Sequence, residues 1–192
     1  MNNAVSPANI TAAALMMQIL LVLILFVGIT FRKLNEQVPG YNGRYVGAGP
    51  HLWMLLSVAL VTLGVLVFSE EFAGFWRPLF GDAHFFLIGW SKALLFVLVM
   101  DIAFTALVVH ETGGSYRSPF TPLCFILPPI AIFLREKEGR IVAYTLFAAI
   151  LFTFNMFADR EDGEPDGQLA YWFVSVASFC LATFIGFITR PR

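Results

Sequence analysis

Asp101 is the residue best placed to do chemistry. It lies within the apolar run Phe85–Val109, and an ionisable side chain at membrane depth is costly enough to mark a ligand contact or a proton site. The same carboxylate can also act as structural glue, accepting a hydrogen bond from a neighbouring helix. Thr105, four residues on, shares its helical face and can donate to it. Lys92, nine residues earlier, is about half a turn out of phase at ~100° per residue and cannot pair with Asp101 along one helix. Being one to two turns inside the segment, it can snorkel to the nearer interface.

The second candidate follows directly, in the stretch His110–Leu127 (HETGGSYRSPFTPLCFIL) with Pro128 and Pro129 after it. Gly113 and Gly114 permit positive φ and close approach of a ligand to backbone amides. Ser118 before Pro119 imposes an extended entry, and Phe120 offers a planar apolar surface. The candidate ligand-binding residues are therefore Asp101, Thr105, His110, Gly113, Gly114, Ser118, Pro119 and Phe120. The plainer reading of this loop is a tight turn, with Gly-Gly ending one helix and Pro starting the next.

Other reactive residue types carry less. His51, His84 and His110 fall at the ends of apolar segments. A bis-histidine haem needs two imidazoles at matching depth, which this spacing allows for His51 and His110 but does not require. Cys124 and Cys180 sit in apolar stretches and read as small core residues, not as a disulfide or metal framework. The acidic run Asp159–Asp166 lacks the alternating ligands of a calcium loop and reads as a solvated turn. No paired carboxylates, metal-ligand spacing or nucleophile motif is present, so no enzyme is expected.

These residues must be positioned by elements suited to lipid. Of the 192 residues, 58% are hydrophobic and 13% charged, and the mean hydropathy is +0.77, which does not fit a water-exposed surface. Twelve Lys and Arg against thirteen Asp and Glu give a net charge of −1, so there is no basic footprint for nucleic acid. A bilayer core needs about 20 apolar helical residues. Six segments approach that length: Thr11–Phe31, Leu52–Ser69, Phe85–Val109, Ser118–Leu134, Ile141–Ala158 and Leu169–Thr189. Trp53, Trp76, Trp90, Tyr171 and Trp172 lie where interfacial anchors belong. Met1–Ile10 has no positive charge and precedes a run too long for a signal peptide, so the first segment reads as a retained span. The expected fold is an all-α polytopic integral membrane protein, with residues 1–192 forming a single transmembrane domain and no soluble domain.

The fourth segment decides the topology. It holds Pro119, Pro122, Pro128 and Pro129, and its unbroken apolar part is short, so it either crosses or re-enters. With five crossings and the amino terminus outside, nine basic residues (Arg32, Lys33, Arg44, Arg117, Arg135, Lys137, Arg140, Arg190, Arg192) lie inside and two (Arg77, Arg160) outside. With six crossings and the amino terminus inside, the tally is six against five. Charge thus favours five crossings. Both layouts put the carboxyl terminus in the cytoplasm and the Asp159–Asp166 loop outside.

From Asp101 through Arg140 the order of features resembles the polytopic membrane domain of bacterial sensor histidine kinases. The features are an Asp inside a span, then Thr112-Gly113-Gly114, then Ser118-Pro119-Phe120, then a proline-rich apolar segment and a charged turn. The likeness is to the redox-responsive, quinone-sensing branch, whose signature is Gly-Gly followed by Asn-Pro-Phe. Ser118 stands where that branch has Asn, and one extra residue separates it from the glycines. The resemblance implies six crossings, a bacterial inner membrane location, and a quinone-like ligand at Gly113, Gly114, Pro119 and Phe120. The chain ends at Arg192 without a phospho-accepting helix or ATP-binding domain, so the expectation is a sensor that signals through a partner protein at its cytoplasmic end. The competing expectation is a homo-oligomeric pore or effector with a polar path near Lys92 and Asp101.

Overall fold

The computed structural model describes residues 7–35, 48–80, 88–112, 118–134, 136–158 and 167–189. The described residues form seven α-helices: α1 (Pro7–Asn35), α2 (Ala48–Val67), α3 (Ala73–Phe80), α4 (Trp90–Glu111), α5 (Thr121–Phe133), α6 (Glu138–Ala158) and α7 (Gly167–Thr189). Four of these contain stretches long and apolar enough to cross a membrane: Ile10–Thr30, Trp90–Glu111, Glu138–Phe157 and Tyr171–Ile188. Two apolar stretches are shorter, Leu52–Val67 and Thr121–Phe133. An all-helical membrane architecture follows from the physics of the segments, because helices satisfy their own backbone groups where water is absent.

Helix α4 is the axis of the bundle. It packs against α2, α5 and α6, while α1 pairs with α2, α6 with α7, and α5 with both α6 and α7. Its interior face is closed by Ala93, Val97, Leu98, Val108 and Val109, all essentially inaccessible. The outer faces of the flanking helices are apolar instead. Met16, Leu20 and Leu23 of α1 and Phe173, Leu181, Phe184 and Ile188 of α7 are all exposed, as a hydrocarbon solvent requires.

Between α2 and α4 the chain is pinned locally. A 3-10 turn at Glu70–Phe72 leads into the short α3. The Trp76 indole N–H donates to the Val67 carbonyl at 2.8 Å, capping the end of α2, and its ring stacks on Phe68. An isolated bridge joins Ser69 to Ile88, so the end of α2 and the start of α4 lie at the same end of the bundle.

Helix α5 does not turn back on itself. Its entry is tied to the end of α4, where the Ser118 and Thr112 hydroxyls hydrogen-bond at 2.6 Å. Its exit is tied to the start of α4, where Arg140 donates to the Ser91 carbonyl at 2.7 Å and to Glu136. The thirteen residues of α5 span only about 20 Å at 1.5 Å per residue, short of a bilayer core of ~30 Å. Pro122 lies in its first turn, where a missing N–H costs nothing. Pro128 and Pro129 lie inside it; each removes one backbone donor, which a packed membrane helix tolerates.

Two close approaches seat α5. A Cβ placed on Gly28 of α1 would overlap the Phe120 ring, and one placed on Gly186 of α7 would overlap Ile132. Glycine at these positions lets α5 wedge between the outer helices, the small-residue packing that drives association where there is no hydrophobic force between spans.

Candidate functional site

The middle of α4 carries a buried polar centre. Asp101 is ten residues from the Glu111 end of α4, or about 15 Å at the helical rise, near the mid-depth of a bilayer core of ~30 Å. It is 2% exposed. Gln18 of α1 reaches it across the bundle, its Nε2 donating to Asp101 Oδ1 at 2.9 Å and to Thr62 Oγ1 of α2 at 2.8 Å. Thr62 in turn donates to the Val58 carbonyl one turn back. Three helices therefore meet at one amide, and Gln18, Thr62 and Thr105 are each 1% exposed or less.

The hydrogen-bond inventory of this centre does not close. Both amide hydrogens of Gln18 are spent, and so is the hydroxyl hydrogen of Thr62. Gln18 Oε1, Asp101 Oδ2 and Thr105 Oγ1 are left buried without a hydrogen-bond partner. Two of these three atoms are acceptors only. A buried acceptor without a donor costs about 1–3 kcal/mol, so the arrangement is expensive to keep and is complete only with a donor or a positive charge. Asp101 has no basic partner among the described residues. Lys92 lies on the exposed face of α4, out of phase as its spacing predicts.

The remaining predicted residues divide between two places. Thr105 joins Asp101 on the same interior face. Ser118 and Phe120 lie at the far end of α4, eleven residues beyond Asp101 at Thr112, about 16 Å along the axis. There Ser118 is 7% and Phe120 4% exposed. The Ser118 hydroxyl accepts from the Phe120 amide at 3.2 Å, closing the turn into α5. Phe120 is thus a wedge seated on α1 rather than an open platform, and Pro119 is exposed beside it. His110 is partly buried in the last turn of α4. Gly113 and Gly114 lie outside the described residues, as do His84 and the Asp159–Asp166 loop; His51 lies in α2.

Gln18 and Thr62 are the residues that sequence reasoning passed over. Their signal was present but faint. Gln18 is the one amide in Thr11–Phe31, and an uncharged polar residue does not interrupt a hydropathy count. Cys124 is buried in the core, as expected, whereas Cys180 is exposed on α7. Among the described residues no group of three His, Cys, Asp or Glu side chains converges as a metal site.

Compared with known proteins, the chain matches no family model, no curated protein and no solved structure, so its reading rests on these residues and their geometry.

Proposed function

We propose that the protein is a membrane-embedded sensor module, six times through a bacterial inner membrane, that takes a lipophilic or interfacial ligand of quinone-like chemistry at the end of the bundle bearing Gly113–Phe120. The observation that carries this reading is the joint at Phe120. The loop ends on Ser118, bonded to α4 through Thr112, and on Phe120, seated against Gly28 of α1. A ligand that displaces the loop must move Phe120, and with it the contact between α1 and α5. Movement at this joint is the route by which occupancy would reach the helices. The readout passes to a partner protein through the opposite, cytoplasmic end, where both termini lie.

Six crossings are supported by the path of α5, whose ends are tied to opposite ends of α4. The positive-inside tally then falls to six against five, and the acidic Asp159–Asp166 loop lies outside with the glycine loop. Single cysteines at Ser115 and Gly139 test the layout: an impermeant thiol reagent labels them from opposite sides, and labelling of both from one side contradicts it. Mass spectrometry of the purified protein tests the ligand. A retained quinone or lipid that is lost in Phe120→Ala supports the reading, and identical retention in the variant contradicts it.

A further inference from the structure

We propose that the centre formed by Gln18, Thr62, Asp101 and Thr105 is a monovalent metal-cation site within the membrane, separate from the loop about 16 Å away along α4. The centre lacks donors. Every side-chain hydrogen of Gln18 and Thr62 is committed to a bond already made. What remains is Gln18 Oε1, Asp101 Oδ2 and Thr105 Oγ1, three buried oxygens on two facing helices without a partner. An amide carbonyl, a carboxylate and a hydroxyl are hard oxygen ligands, the set that hard cations take.

Charge sets the valence. Asp101 is the single carboxylate of the centre and has no basic partner among the described residues, so one positive charge neutralises it. A divalent ion would leave a net charge at mid-bilayer, where uncompensated charge is most costly. Burial sets the size. With all four side chains 2% exposed or less, the centre suits a bare ion rather than a ring-sized headgroup. The consequence is mechanical, because an ion held by Gln18 of α1 and by Asp101 and Thr105 of α4 draws the α1–α2 hairpin onto the axis of the bundle.

The test is thermal unfolding of the purified full chain in detergent, at fixed pH and ionic strength, with N-methylglucamine chloride replaced stepwise by sodium or potassium chloride. The expected result is a saturable rise in midpoint with at least one of the two ions, on the order of 5 °C at a hundredfold excess over Kd. Asp101→Asn abolishes the rise, and so does Thr105→Val, which serves should the first variant fail to fold. Thr183→Val, on α7 away from α4, retains it. An unchanged midpoint in all three salts overturns the proposal, as does a rise that survives in both variants of the centre. A midpoint that moves with pH but not with the cation makes the site one for a proton only and also overturns it. Failure here leaves the reading of the Phe120 joint standing, because the two rest on different residues.

Discussion

The two halves of the bundle that meet on α4 treat their polar side chains differently. On the side of α6 and α7, polar groups close bonds between helices. Asn155 donates to the Ala106 carbonyl at 2.7 Å, the Thr145 and Thr183 hydroxyls pair at 2.9 Å, and the Trp172 indole donates to Thr153 at 2.9 Å. Among the described residues the Tyr144 hydroxyl there is buried without a hydrogen-bond partner. On the side of α1 and α2, one amide is asked to serve two acceptors, and three further oxygens of the same interface stay unpartnered. The first pattern is what interhelical glue looks like, each donor matched to an acceptor. The second keeps acceptors in excess, an unfavourable state for a folded protein that a binding site must nevertheless tolerate.

Four tests break or sharpen this contrast, in descending order of effect. The largest is expected for Gly28→Val, which drives new atoms into the Phe120 ring and should cost on the order of 2–3 kcal/mol through overpacking; pairing it with Phe120→Ala should recover much of the loss in a detergent unfolding assay. If Gly28→Val alone unfolds like the parent, α5 is not seated as described. Next is Arg140→Met. Among the described residues it leaves the 4% exposed Glu136 with only the Lys137 amide at 3.2 Å, and it removes the tie to Ser91. Because Arg140 is itself partly solvated, the expected cost is about 1–2 kcal/mol rather than the full penalty of a buried pair. It should appear as faster proteolysis near residues 134–138.

Asn155→Leu comes third. It removes a single interhelical bond to a backbone carbonyl, and such bonds average about 0.6 kcal/mol, up to ~1.7, in membrane bundles. A small but definite fall in the unfolding midpoint is expected, and no fall would remove Asn155 from the glue. The smallest effect belongs to the Thr145–Thr183 pair. A double-mutant cycle with valine at both positions should give a coupling of a few tenths of a kcal/mol, and zero coupling would mean that each hydroxyl is served by its own helix, as the bonds to the Ile141 and Phe179 carbonyls allow.

How much of this was legible in the sequence depends on what kind of signal each residue gives. Length and hydropathy place three of the apolar segments closely. Thr11–Phe31 lies inside α1, Ile141–Ala158 inside α6, and Leu169–Thr189 inside α7, because length and hydropathy are what lipid selects. The depth of Asp101 and the outward position of Lys92 followed from counting residues along a helix. Segment four was the open question, since its prolines and short apolar core fit a re-entrant turn as well as a crossing. The ties at its two ends, Thr112 to Ser118 and Ser91 to Arg140, support a crossing, and no local pattern announces them. The partners of Asp101 were illegible for the same reason. Gln18 lies eighty-three positions away, and only packing brings α1 to α4. The loop that looked most like a ligand platform holds a wedge in Phe120, because the notch that receives it is a glycine ninety-two positions earlier.

The central claim is that the α1–α2–α4 centre exists for binding and not for holding the helices together, and the sign of one stability change tests it. Asp101→Asn keeps the shape and the acceptor for Gln18 Nε2, removes the buried charge, and brings an amide donor to oxygens that have none. In buffer free of sodium and potassium, the unfolding midpoint of Asp101→Asn in detergent should therefore rise above that of the parent, by the equivalent of roughly 1 kcal/mol. A midpoint that falls would mean that the carboxylate holds the bundle together as it stands, and would contradict the account.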